Sequence, residues 1–387
     1  MSRFAVIAAR RTPQGRFLGS LAKLSAVDLA VSAGRAVLDD LPDSGIAKSI
    51  EQTIVGNVLS AGSGMNVARQ VGVRLGLPID GTAFTVNMMC ASGMKAIMLG
   101  CEAIAAGSAQ VVLCGGTESM SQAPFLLNRA RMGLKLGDAT LVDSLLNDGL
   151  IDAFDRKHMG LSAERLAAEF AIGRIEQDEF AARSQKRYAT AAAAGRFASE
   201  VVPTAGLAAD EHPRPETTFD SLAILSPAFD PKGSVTAGNA SGINDGAAMV
   251  LLCSEAFAAS RGIEPLALIE GFAEAGCDPA RMGLGPVFAT RRLMDRTGTK
   301  LDDCDTIEIN EAFAVQALAC LRELGCDPDS VNPDGGAIAL GHPIGASGAR
   351  LVVHIVHRIA SGLTRQGVAT LCVGGGIGAA VRLIRPN

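Results

Sequence analysis

The sequence predicts an α/β fold made of two similar halves, and three observations lead there. Short apolar runs alternate with amphipathic, helix-length segments at both ends of the chain. The 387 residues are 48% hydrophobic and 19% charged, enough to bury a large core in two or three domains. Finally, one set of landmarks occurs twice in the same order. TIVGNV (53–58), Cys90-Ala91-Ser92-Gly93, a helix and VVLCGG (111–116) are answered by TIEINEAF (306–313), Ala346-Ser347-Gly348, a helix and ATLCVGGG (369–376). Two βα halves in this order imply a duplication about a pseudo-twofold axis, with a cleft where strand ends meet helix starts.

Taken in order, Phe4 to Ala9 reads as a buried strand, and Ser25 caps a helix running to about Leu38. Thr53 to Val58 is a strand and Met65 to Leu75 a helix. Phe84 to Met88 is a strand that leads directly into Cys90. Ser92 to Ala106 is a buried helix, and Gln110 to Cys114 a strand ending at Gly115-Gly116. From about Ser119 to Gly242 strands are few, and helices are expected near 160–171 and 176–195; this stretch reads as a loop-rich insertion. Alternation resumes at Ala247 to Cys253. The expected division is 1–119 with 243–265, an insertion of 120–242, and 266–387.

Several functions are excluded early. A net charge of -5 with no long basic run argues against nucleic-acid binding, and 4% aromatics leave little for base stacking. No apolar stretch is long enough to span a membrane, and MSRFAVIAARRTP is no secretory signal. The final Ile384-Arg385-Pro386-Asn387 is no peroxisomal or retention signal. Nine cysteines, with no CxxC, read as reduced thiols, which suits a cytoplasmic protein. His354 and His357, three apart on one helix, could share a metal or simply be two half-exposed helix residues; no metal site is expected.

Four residues carry the candidate chemistry. Cys90 stands between a strand and a helix, where the helix dipole and free N–H groups favour a thiolate. It is either a nucleophile or one more small buried hydrophobe. His342, in Gly341-His342-Pro343-Ile344-Gly345, sits in a turn that glycine makes tight and Pro343 stiffens. It can serve as a base toward a thiol or only cap a turn. Cys372 is followed closely by Gly374-Gly375-Gly376, whose N–H groups can hold an oxyanion or a phosphate, or form a plain turn. Asn310 can cap the helix 311–324 or orient a water or carbonyl. No nucleotide-binding glycine motif is present.

Together these segments closely resemble the thiolase family, in its acetoacetyl-CoA branch, over nearly the whole chain. Arg11-Thr12-Pro13, Asn87 to Ala96 around Cys90, Gly115 to Ser121, Asn310-Glu311-Ala312-Phe313, Gly341 to Gly345 and Cys372-Val373-Gly374 follow the family's blocks in order. The resemblance implies a five-layered α/β/α/β/α duplicated fold. It implies Cys90 as acyl-accepting nucleophile, His342 as its base, and Cys372 as acid/base at the α-carbon. Asn310, through a water, and His342 would hold the enolate oxygen, and the N–H groups of Cys90 and Gly374 a second oxyanion. For coenzyme A it implies Arg214, Ser221, Phe229 and Ser241, with Leu150, His158 and Met159 over the acyl end. Met159 and Met282 would close a pocket too small for long chains, with Ala312 and Phe313 beside it; the bland alternative for both Met is generic packing. His158 before Met159-Gly160 points to the acetoacetyl branch. Substrates would be acetyl-CoA, acetoacetyl-CoA and CoA, with no resident cofactor, on a homo-oligomer, a dimer or dimer of dimers.

Three rivals differ in identifiable residues. A ketoacyl synthase typically uses a Cys and two His, where this chain has Cys372 at the second base position. A broad-range 3-ketoacyl-CoA thiolase lacks the His158-Met159 signature. A non-catalytic acyl-CoA-binding relative would have lost one of the four side chains, all of which are present here.

Overall fold

The computed structural model describes residues 3–386. Ten strands join in one sheet, in the order β10-β11-β12-β9-β1-β8-β5-β3-β4 with the short β2 beside β8. They are β1 (Phe4–Arg11), β2 (Gly15–Arg16), β3 (Ile50–Gly56), β4 (Thr82–Val86), β5 (Val111–Ser119), β8 (Asn244–Ser254), β9 (Ala267–Gly276), β10 (Thr306–Ile309), β11 (Gln366–Val373) and β12 (Ile377–Ile384). A separate hairpin pairs β6 (Phe125–Leu126) with β7 (Val142–Asp143).

The duplication is visible in the pairing. β3 runs parallel to β5, as β10 does to β11, and β8 and β12 then add antiparallel. β1 and β9, antiparallel over Phe4 to Val6, join the two half-sheets edge to edge.

Helices sort into three layers around these half-sheets. Between them lie α4 (Ser92–Ala105) and α12 (Ile344–Ala360), burying Met94, Ile97, Leu351 and Val352 against Val112, Val250, Leu371 and Val381. Such side chains contribute roughly 1.5–3 kcal/mol each when fully buried. On the outer face of the first half-sheet are α1 (Ala26–Asp39) and α3 (Val67–Arg74), with α2 (Ser44–Ala47) between them in sequence and α8 (Glu255–Ser260) nearby. On the outer face of the second are α5 (Met159–Glu169), α9 (Gly285–Thr297) and α10 (Ala314–Leu324). The layering is α/β/α/β/α. The insertion also supplies α6 (Arg174–Ala193) and α7 (Phe219–Ala223); α11 (Ala337–Leu340) precedes the His342 turn.

Local signals explain most boundaries. Ser25 caps α1 reciprocally with Asp28, each accepting from the other's N–H. α3 starts at Val67 rather than Met65, because Asn66 accepts from the Arg69 N–H as its cap and Met65 is 90% exposed. β5 does not end at Gly115-Gly116 but continues to Ser119. Those glycines stay paired with Met249 and Ala248, and a Cβ on Gly116 would collide with the Gly345 carbonyl of α12. Asn310 is not a helix cap: it directly follows β10, its N–H bound to the Thr370 carbonyl at 3.0 Å, and α10 starts only at Ala314. His354 and His357 are buried, not half-exposed. His354 bonds Glu200 at 2.9 Å and His357 the Ala9 carbonyl at 2.7 Å. Among the described residues no His, Cys, Asp and Glu group is arranged to hold a metal ion.

Candidate active site

Cys90 follows β4 on a tight turn that its neighbours enforce. Met89 adopts a left-handed φ of 45°, a costly conformation for a side chain of its size. Its N–H donates to Asn87 Oδ1 at 3.0 Å. Ser92 locks the turn: its Oγ accepts from the Met88 N–H at 2.8 Å and donates to the Met89 carbonyl at 2.7 Å. The equivalent Ser347 does the same on the other half, donating to the Pro343 carbonyl at 2.9 Å while bound to His342 Nδ1 at 2.6 Å.

That geometry sets the imidazole's tautomer. Ser347 has one hydroxyl hydrogen, and the Pro343 carbonyl takes it, so Nδ1 donates to Ser347 and Nε2 is left as the free acceptor. The turn itself is held by the His342 N–H donating to Asn244 Oδ1 at 3.0 Å. A side chain on Gly341, at φ 101°, would collide with Asn244. Asn310 Nδ2 stands 3.5 Å from both ring nitrogens, and its buried Oδ1 has no partner.

One cavity of about 380 Å³ gathers these groups at the junction of the halves: Cys90, His342, Cys372 and Gly374. Leu150, His158, Met159, Phe229, Met282 and Phe313 form much of its wall, and Arg214, Ser241 and Ala312 also line it. The ring of His158 stacks on Phe229 at 4.6 Å, and its Nδ1 accepts from the Gly160 N–H as the cap of α5. Ser241 is held by its N–H on the Ala312 carbonyl at 3.0 Å. Ser221 is not in this cavity. It lies in an adjoining groove of about 310 Å³ that shares His212, Arg214 and Ala237 with it. A wider groove of about 600 Å³ between α6 and α10, lined by Phe180, Leu321 and the Glu176–Arg322 pair, has no nucleophile beside a base.

Electrostatics keep the free site neutral. Burial pushes the Cys90 thiol up to about 11, opposed by the N–H groups of Gly374 and of Cys90 itself and reinforced by Glu118. The thiolate expected from the helix dipole is therefore not the resting form: burial outweighs it, and Cys90 lies outside the first turn of α4. Burial, then Arg350, lowers His342 to about 3, leaving a neutral imidazole. Cys372 is raised by burial and by the nearby Cys90.

Other residues of the site were not singled out by the sequence. Glu118, fully buried, accepts from Asn57 Nδ2 at 2.7 Å and from the N–H groups of Val58, Leu59 and Gly345 at 3.1, 3.1 and 2.9 Å. It thereby ties the end of β3 to the start of α12. Met89, Met120, Gly149, His212 and Ile344 also line the cavity. Glu118 and Met120 sat inside a quoted segment, Gly115 to Ser121; His212 carried no local signal.

Comparison with known proteins agrees with this geometry. The thiolase N-terminal domain model matches residues 4–256, and the thiolase C-terminal domain model residues 263–385. The chain belongs to the thiolase family. Among thiolase relatives, the acetyl-CoA acetyltransferase of Pseudomonas aeruginosa is 49% identical over the whole of both chains. That of Chromobacterium violaceum is 47% identical over 99% of each. Of solved thiolase structures, human mitochondrial 3-ketoacyl-CoA thiolase in complex with CoA superposes with a TM-score of 0.97 at 42% identity, covering 100% of this chain and 98% of that one. Acetyl-CoA acetyltransferase from Bacillus anthracis gives 0.95 at 39%, covering 99% of each. Among the described residues no helix is long and apolar enough to cross a membrane.

Proposed function

We infer that this thiolase is an acetyl-CoA C-acetyltransferase, joining two acetyl-CoA into acetoacetyl-CoA and CoA and running the reverse thiolysis. The observation that carries the residue roles is the meeting of Cys90, His342 and Cys372, from opposite halves, in one cavity. His342 Nε2 takes the Cys90 proton as its sulfur attacks the acetyl-CoA carbonyl. The carbonyl–sulfur bond to CoA breaks, and Cys372 gives its proton to the departing CoA sulfur, which leaves Cys372 a thiolate while Nε2 of His342 keeps the proton from Cys90. Cys372 then takes a proton from the α-carbon of a second acetyl-CoA. The carbanion attacks the acetyl-Cys90 carbonyl, and Cys90 departs and takes its proton back from Nε2 of His342. Asn310, through a water, and the protonated Nε2 of His342 hold the enolate oxygen, and the N–H groups of Cys90 and Gly374 the tetrahedral oxyanion. A neutral imidazole and a protonated thiol suit this cycle, since each proton moves only when a substrate atom accepts or releases it.

Coenzyme A thioesters serve as substrates, and the scheme draws on no resident cofactor. Residues 120–242 act as the cover of the CoA site: Arg214 and Ser221 face the nucleotide end, and Ser241 and Phe229 the pantetheine arm. Met159, Met282, Leu150 and His158 lie at the acyl end, beside Ala312 and Phe313. A homo-oligomer, as a dimer of dimers, is supported by exposed apolar surface: Phe84 on the edge strand β4 beside Met65, and Met132, Leu134 and Leu136 beyond the β6 strand. The free cysteines support a cytoplasmic site of action.

The test separates the two thiols. Cys90→Ala abolishes the acyl-enzyme mass adduct with acetyl-CoA, whereas Cys372→Ala keeps the adduct and loses condensation. Normal condensation by Cys372→Ala would overturn the roles. The second reading, a broad 3-ketoacyl-CoA thiolase, draws on the human structure; undiminished thiolysis from four-carbon to eight-carbon 3-ketoacyl-CoA would favour it.

A further inference from the structure

The cavity has two apolar walls, and they belong to different cysteines. Met120 and Ile344, backed by Val58, Leu59 and Leu145, form a cluster that packs on Cys90. Met282 and Phe313 belong to another cluster, which includes Cys372 and has Met159 packed against it. The two reacting carbons of a 3-ketoacyl-CoA are divided in the same way. During thiolysis the bond between C2 and C3 breaks. C3, with whatever tail it bears, is left as a thioester on Cys90; C2 receives a proton and leaves as the acyl group of the departing CoA thioester. The tail is thus delivered to the Cys90 wall, and any substituent on C2 faces the Cys372 wall.

We infer that the two walls are separate specificity gates: Met120 and Ile344 limit the length of the tail, and Met282 with Met159 limits substitution at the α-carbon. This rests on the reaction assigned above and deepens it. The first gate is closely fitted. The π-helical turn Leu145–Leu150 brings Gly149 against it, where a Cβ would stand 3.2 Å from Ile344 Cδ1 and 3.4 Å from Leu59 Cδ2. Met120 is 2% exposed, and its sulfur accepts the Asn244 N–H at 3.4 Å. The wall therefore has no slack for a longer chain unless a side chain is shortened. Met282 is likewise 4% exposed at the other gate.

The experiment measures kcat/KM for thiolysis of acetoacetyl-CoA, 3-ketohexanoyl-CoA and 2-methyl-3-ketobutanoyl-CoA, each expressed as a ratio to acetoacetyl-CoA within one protein. Met120→Ala is expected to raise the 3-ketohexanoyl ratio about tenfold or more, the scale on which a methylene is discriminated, and to move the 2-methyl ratio less than about twofold. Met282→Ala is expected to do the reverse. Ile344→Val, a milder change to the first gate, should move in the same direction as Met120→Ala and keeps the test open should that variant fail to fold. Mass spectrometry of the acyl-enzyme formed from hexanoyl-CoA should show the same ranking. Equal shifts of both ratios in either variant, or none in active protein, would overturn the division into two gates. A wild-type chain that neither acylates Cys90 nor cleaves acetoacetyl-CoA would instead overturn the underlying reaction.

Discussion

Cys90 and His342 are chemically quiet until a substrate arrives. With the thiol raised to about 11, the thiolate fraction grows about tenfold per pH unit through neutrality. Alkylation of the free enzyme at Cys90 by iodoacetamide should therefore accelerate from pH 7 to pH 10 without levelling off. A plateau near pH 8 would mean a stabilised thiolate. Since His342 is neutral down to about pH 3, no protonation of that ring should appear as a limb near pH 6. The placement of Cys90, His342 and Cys372 in one cavity was legible because each follows from a few adjacent residues: Ser92 and Gly93, Gly341 and Pro343, Gly374. The protonation state of Cys90 was not, because it depends on burial, which no local pattern specifies. His212 was missed for a related reason: only the folded chain brings it to the cavity, whereas Ile344 lay within the Gly341 to Gly345 block without being given a role.

The helices α4 and α12 meet through glycine. A Cβ on Gly93 would lie 2.9 Å from Ala349 Cβ, and one on Gly348 would lie 2.7 Å from Met94 Cβ. The repeated Ser-Gly pair therefore has two uses, locking a turn and letting the two helix starts approach, and this is why the repeat was readable in the sequence. Gly348→Ala should destabilise the fold by about 1–3 kcal/mol, as overpacking a core does, and lower kcat more than it alters KM; chemical denaturation with steady-state kinetics checks both. The edge strand β4 makes another prediction. Phe84→Lys places charge on an unpaired edge, and light scattering should report smaller assemblies, with the isolated chain still folded by circular dichroism. Element boundaries were less legible than elements: β5 outran its expected end because Gly116 must pass α12, a contact between distant segments.

Deep between the halves lies an ionic network that composition did not announce. Arg11 pairs with Glu200 at 2.7 Å and with Asp210 at 2.6 Å, and His354 bonds Glu200 and stands 3.3 Å from Asp334, which Arg196 and Arg358 also reach. Glu308 and Arg350 complete the surroundings at 3.6 Å from one another. Burial lowers the His354 pKa, but Glu200, Asp334 and Glu308 outweigh it and raise it to about 9. A group raised on folding contributes its full stability below its unfolded pKa, about 6.5, and loses it as pH climbs through the folded value. The stability lead of the chain over His354→Asn should therefore be widest at or below pH 6.5 and shrink toward pH 9; a lead that does not change with pH would contradict the charged state. The sequence offered His354 with His357 as a candidate metal pair because they stand three apart on one helix, while the carboxylates that face His354, Glu200, Glu308 and Asp334, arrive from segments far away. The position of β1 has a consequence for biosynthesis. β1 precedes the other described strands in the chain yet forms the seam of the finished sheet, and its neighbours β8 and β9 begin only at Asn244 and Ala267. An apolar segment therefore waits unpaired until distant partners have been made, which exposes the nascent chain to aggregation.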